Sequence, residues 1–173
     1  MGTDIHLFVE YRLDRGGDYF SLTRGSFDLT RNYAAFAALA GVRAEDTEAK
    51  PRIAPRGFPP DASWHARAEY YRRISDEPGH HAGSFRLVTP EQARDDVARG
   101  LSHTKTFTRT ARHEELVSDP DAHTPSWLTG EELASVLDVA PVRDELWADY
   151  RIVIAALEEL ATSDGRAVFW FTD

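Results

Sequence analysis

An aspartate and a histidine two positions apart on one strand face are the first residues here whose types and spacing bear chemistry. In TDIHLFVEYR the strict alternation places Ile5, Leu7, Val9 and Tyr11 on one face of an expected strand, and Asp4, His6, Phe8 and Glu10 on the other. Asp4 and His6 then point the same way with Cα atoms roughly 7 Å apart, which suits ligation of a divalent metal or general acid/base work. The plain alternative is a partly exposed edge strand whose polar face meets water. His123 is the third candidate, two residues before Pro125 and four before Trp127, just ahead of a capped helix. An imidazole and an indole so placed can line one pocket, although lone loop histidines mostly face solvent. Asp4, His6 and His123 form the expected catalytic set and, if a metal is bound, its ligand set.

A second group has the chemistry of anion binding. Arg31, Asn32 and Tyr33 fall at an expected helix start, where free N–H groups and the positive end of the helix dipole favour an anion and a guanidinium adds a planar fork. A plain cap explains the same residues. Arg56 and Gly57 lie in the proline-stiffened IAPRGFPPDAS, where they present a guanidinium and a backbone N–H, or serve the loop structurally. Tyr33 or Trp127 would stack on a ring of the ligand. His80 and His81 are adjacent, so in an extended segment they point apart and do not easily chelate one ion. HExxH, a phosphate-binding glycine loop, G-x-S-x-G and a dinucleotide fingerprint are all missing from the sequence.

The elements that must hold these residues follow from local signals. Asp14-Arg15-Gly16-Gly17 is a turn, so Val9 to Leu22 reads as a hairpin. Asn32-Tyr33 opens a short buried helix in which Tyr33, Phe36, Ala37 and Ala40 share a face and Gly41 terminates it. Residues 44–63 read as a long ordered loop, and Trp64 to Ile74 as one weak exposed helix. Phe85 to Val88 reads as a short strand, and Thr89-Pro90-Glu91-Gln92 starts a polar helix with a capping box. Periodicity is weak from Leu101 to Pro125, with a strand expected at Lys105 to Thr110. Thr129 and Glu132 cap a helix through Leu137, and Pro141 opens the longest helix, with Leu146, Trp147, Tyr150, Val153, Ile154, Leu157 and Leu160 along its apolar face. RAVFWFTD is apolar on both faces and predicts a central strand. Beside the first strand it would bring Asp173 to a strand end.

The expected architecture is one α+β domain over residues 1–173, with residues 64–120 as its variable middle. It has a small mixed or antiparallel sheet whose N- and C-terminal strands are central, and helices packed on one face. Length and 42% hydrophobic residues are enough for one real core. With no cysteine, thiolate metal sites and cysteine nucleophiles are excluded, and a reducing cytoplasm is the expected setting. The formal net charge of −9 argues against extended nucleic acid or an anionic membrane as partner. No apolar leader or membrane-length segment is evident, and self-association is left open. Lysine occurs only at Lys50 and Lys105, a bias typical of a GC-rich coding background, so no single arginine is weighty by itself.

GTDIHLFVEYR, RNYAAFAALAGVR, PRGFPPDAS, HTPSWLTGEEL and VFWFTD together resemble a widespread family of small bacteriophage and prophage proteins of unassigned function. Its members start with MGCDIH, follow with RNY and LAGVR, then PRG-x-P-x-D and H-S-x-S-W-L-T, and end in an FWFD-type strand. The resemblance spans the chain but skips its middle. Thr3 stands where the pattern has Cys, which argues against thiol chemistry, and Pro125 stands where a second His is common, which weakens a two-histidine metal site. The resemblance implies which residues cluster and a phage or host-defence setting. The expected function is a hydrolase-like enzyme processing a small anionic, nucleotide-type ligand. The rivals are a non-catalytic protein that sequesters a signalling nucleotide and a protein-interaction module.

Overall fold

The opening alternation folds as strand β1 (Asp4–Tyr11), turns through Asp14 to Gly17, and pairs antiparallel with the short β2 (Phe20–Ser21). The structure is a computed structural model that describes residues 2–46, 50–76, 85–109, 112–138, 148–160 and 164–173. Helix α1 (Tyr33–Ala40) starts where Asn32 Oδ1 accepts the Ala35 N–H at 3.1 Å, and it ends at Gly41 with φ 74°. That left-handed conformation suits glycine, and the Gly41 N–H closes the last turn on the Ala37 carbonyl. A single 3₁₀ turn (Ala44–Asp46) follows, and an extended loop over residues 50–63 leads to helix α2 (Trp64–Tyr70).

The chain then runs through β3 (Tyr71–Ile74), β4 (Arg86–Val88), α3 (Pro90–Ala98), β5 (Thr104–Arg109), β6 (Arg112–Ser118) and β7 (Ala122–Thr129). Helices α4 (Gly130–Leu137) and α5 (Ala148–Glu159) precede the last strand, β8 (Arg166–Thr172). Both expected capping boxes are formed, at Thr89 with Gln92 and at Thr129 with Glu132. The segment from Pro141 through Trp147, with His80, His81 and Leu146, lies outside the described residues.

Two four-stranded sheets result, ordered β2-β1-β8-β7 and β4-β3-β6-β5. In the first, β8 is central and antiparallel to both neighbours, with Ile5 opposite Phe171, Leu7 opposite Phe169 and Val9 opposite Ala167. Those six residues form one buried face and pack against Phe36 and Leu39 of α1, Leu133 of α4 and Tyr150, Val153 and Leu157 of α5. The α+β class and the central terminal strands therefore hold, with α1, α4 and α5 on this face.

The other face departs from expectation. Phe8 and Trp170 are buried there against Ala66 and Tyr70 of α2, Tyr71 of β3, Phe85 and Leu116 of β6. The face of β1 expected to meet solvent or a pocket is therefore mostly covered by the second sheet, and Phe8 and Glu10 are fully buried. Trp64 to Ile74 is not one exposed helix: Ala66 and Tyr70 are buried, and Tyr71 to Ile74 pairs with both β4 and β6. On the far side of the second sheet, Val88 and Val117 pack on Ala93 of α3. His123 belongs to a strand rather than a loop. The ladder between β7 and β8 breaks between His123 and Ser126, where Thr124 takes φ 48° and Pro125, lacking an N–H, occupies the irregularity. Among the described residues no helix is long and apolar enough to cross a membrane.

Candidate functional site

The mouth between the two sheets forms a cleft of about 470 Å³. His6, Trp170, Thr172 and Asp173 enter it from the first sheet, Glu69 from α2, Arg86 from β4, and Asp119 and Asp121 from the turn joining β6 to β7. That turn links one sheet to the other, and the Asp119 N–H donates to the Tyr70 carbonyl at 3.0 Å, which ties the turn to the end of α2.

His6 is fixed on three sides. Its ring lies parallel to the buried Trp170 ring, with 1° between planes and 5.3 Å between centroids. Its Nδ1 is 2.8 Å from Glu69 Oε1, and its Nε2 is 3.2 Å from Thr172 Oγ1. Glu69 also accepts from Ser26, with the hydroxyl 2.7 Å from Oε1 and the backbone N–H 3.3 Å from Oε2. Burial raises the Glu69 carboxyl, but the bonds from His6 and Ser26 outweigh it and hold the group below the ordinary carboxylate range. A charged Glu69 requires the proton on Nδ1, so in the neutral imidazole the Nε2 lone pair faces the Thr172 hydroxyl. Carboxylate, imidazole and hydroxyl thus form one chain that opens into the cleft, the arrangement that activates a hydroxyl or a water for attack.

Asp4 shares the face of His6 and lies opposite Thr172, but its two oxygens take the Arg31 fork, Nε at 2.5 Å and Nη2 at 2.8 Å, and this pair, with a smaller pull from His6, holds its carboxyl below the usual range. His123 lies across from Phe171, whereas His6 lies across from Trp170, so the two histidines project from opposite faces of the sheet. The His123 ring stacks on Phe171 at 6.0 Å, with Nε2 3.6 Å from Asp173. Asp173 Oδ1 accepts from the Thr3 hydroxyl at 2.6 Å and faces Arg43 at 3.3 Å. The Thr3 bond leads in holding the Asp173 carboxyl low, with help from His123 and Arg43, against burial, which raises it. Asp4, His6 and His123 accordingly do not share one point. Among the described residues, no group of three His, Asp or Glu side chains is arranged to hold a metal ion. The expected three-residue metal site is corrected on this geometry.

The expected anion site also separates. Arg31 is engaged by Asp4, opposite Thr172, while Arg56 grips Glu132 with Nη1 at 2.8 Å and Nη2 at 2.5 Å. The Arg56 guanidinium lies 4.5 Å over the Trp127 ring, and Trp127 sits opposite Val168. Thr172 and Val168 are about 13 Å apart along β8, so the two arginines serve different ends of the sheet. Asn32 caps α1, and Tyr33 packs on Phe36 with ring centroids 5.8 Å apart. Gly57 takes φ 80° and donates its N–H to the Pro125 carbonyl at 3.1 Å. These residues hold the loop and the helix start in place.

Glu69, Ser26, Thr172, Arg86, Asp119 and Asp121 were not among the residues singled out by the sequence. One signal for Thr172 was present: with β8 beside β1, it shares parity with Trp170 and so the face of Asp4 and His6. Nothing local marks Glu69, a single carboxylate in a seven-residue helix. Set against protein-family models, curated proteins and solved structures, the chain matches none of them.

Proposed function

We propose that the His6 cleft is the active centre of a hydrolase-like enzyme that processes a small molecule. The observation that carries this reading is the Glu69–His6–Thr172 chain, fixed by Trp170 and open to the cleft. His6 acts as general base through Nε2, and Glu69 orients the ring and stabilises the imidazolium that forms. The described lining carries the carboxylates of Glu69, Asp119 and Asp121 against the single guanidinium of Arg86, itself ion-paired with Asp119, while Asp173 borders the cleft with its carboxylate engaged by Thr3, Arg43 and His123. That balance favours a neutral or cationic substrate over the anionic nucleotide-type ligand expected from Arg31 and Arg56. A phage or host-defence setting remains part of the proposal only through the resemblance of the sequence motifs.

The test is turnover of a panel of small carboxylic esters, amides and phosphodiesters by the intact protein and by His6→Ala. Turnover of at least one class, reduced roughly 10²-fold or more in the variant while its thermal melt stays near that of the parent, is the expected result. Absence of turnover across the panel, or equal turnover by His6→Ala, overturns the reading.

A second reading, a protein-interaction module, is favoured by one observation. Leu13, Phe20 and Leu22 are 73%, 53% and 47% exposed around the β1–β2 hairpin at the sheet edge.

A further inference from the structure

We infer that Thr172 is the nucleophile of this centre and forms a covalent acyl-enzyme with esters that carry no net negative charge. The inference rests on the hydrolase reading above and deepens it. A histidine that activates only water needs an open position at Nε2, but here the Thr172 hydroxyl lies 3.2 Å from that nitrogen. Thr172 is the last residue of the β8 ladder, paired with Asp4 on one side and Ala122 on the other, so its backbone is held while the residue stays partly exposed at the cleft. The His6 ring cannot swing away without losing both the parallel stack on Trp170 and the bond to Glu69. The chain is therefore preorganised for attack by Oγ1 rather than for solvation of the imidazole.

The step balances without a further cofactor. The Thr172 Oγ1–H proton moves to His6 Nε2 as Oγ1 bonds to the substrate carbonyl carbon, and the oxygen of that carbonyl takes up the electron pair. Arg86, the one arginine in the described lining, is ion-paired with Asp119 in the same cleft, and its positive charge there favours this developing negative charge. Collapse breaks the bond from carbon to the alkoxy or aryloxy oxygen, and His6 returns its proton to the leaving oxygen. A water then gives its proton to Nε2 as its oxygen bonds to the acyl carbon; collapse breaks the bond from that carbon to Oγ1, and His6 returns the proton to Oγ1, releasing the carboxylic acid and restoring Thr172. The carboxylates of Glu69, Asp119 and Asp121 in the lining oppose a negatively charged ester and accept a neutral or cationic one.

The probe is 4-nitrophenyl acetate, with the anionic 4-nitrophenyl hemisuccinate as its counterpart, applied to the full chain. Rapid acid quench and intact-mass measurement should show one acetyl group, which fragmentation places on Thr172, with the anionic ester labelling far more slowly. Thr172→Ala should abolish the adduct and reduce hydrolysis roughly 10²-fold or more, Thr172→Ser should keep both, and Glu69→Gln should slow acetylation. An acetyl group found on His6 or only on other side chains overturns the inference whatever the variants do. Hydrolysis that needs His6 but is unchanged in Thr172→Ala overturns the nucleophile and leaves the hydrolase reading standing with water as the attacking group. Failure of the parent to react with either ester overturns the inference, and only failure across amides and phosphodiesters as well removes the reading beneath it.

Discussion

Glu10 and Arg166 face each other across β1 and β8 with both side chains withdrawn from water, 0% and 6% exposed, and with Arg166 Nε and Nη2 at 3.0 and 2.9 Å from Glu10 Oε2. Three further contacts complete the arrangement: Ser63 N–H donates to Glu10 Oε1 at 2.7 Å, Arg166 Nη1 reaches Asp61 at 2.9 Å, and the guanidinium lies 3.6 Å over the Tyr19 ring. The pair fastens the loop before α2 to the first sheet and so fixes the origin of the helix that carries Glu69. Glu10→Ala leaves a buried guanidinium without its main partner and should destabilise the fold by about 3–5 kcal/mol, measured by urea unfolding. A loss below about 1 kcal/mol would show that Asp61 and water replace the pair.

Acid should weaken the cleft through Glu69. Its folded pKa lies below the unfolded value, so its contribution is complete above about pH 4.3 and disappears as the pH falls through the folded value. Asp4, Glu132, Asp149 and Asp173 shift the same way, and solvent screening reduces the contributions of Asp4 and Asp173, the more exposed of them. The thermal midpoint should therefore change little from neutrality to about pH 5 and fall below about pH 4, with a shallower fall in Glu69→Gln. An unaltered acid slope in that variant would remove Glu69 from the account.

Arg31 and Arg56 should prove structural. Both side chains of the Arg31–Asp4 pair are half-exposed, at 54% and 52%, so Arg31→Ala should leave the thermal midpoint nearly unchanged. Arg56→Lys removes a two-pronged bond to Glu132 and weakens the stack over Trp127, for a loss of about 1 kcal/mol. Neither substitution should alter hydrolysis in the His6 cleft. A selective loss of turnover in either variant, with an unchanged melt, would return the arginines to the site.

Gly41→Ala should destabilise by about 1–2 kcal/mol, because an L side chain is strained in the left-handed conformation. An added Cβ also comes within 3.3 Å of Pro51 Cγ, so the following loop must yield slightly. Thermal unfolding of the variant checks this, and an unchanged midpoint would mean that the helix ends differently in solution.

Glu69 and Thr172 are 63 and 166 residues from His6 in the chain, and no spacing rule joins them. What could be read along the chain was what a few neighbouring residues encode. The alternation of β1, the Asn32 cap and Gly41 stop of α1, the capping boxes at Thr89 and Thr129, and the doubly apolar β8 were all legible, because strand period and unsatisfied helix-end N–H groups are local constraints. His6 stood out for the same reason. Tertiary structure alone decided that Phe8 and Trp170 are covered by a second sheet, since Tyr70, Tyr71 and Leu116 acquire their apolar role only by meeting them. It also decided which charges are already engaged: Arg31 meets Asp4 and Arg56 meets Glu132 through contacts that depend on how loops cross the sheet ends. A side chain's type states what chemistry it can do, but its partner sets whether that chemistry is free, and partners so far apart in the chain are chosen by packing.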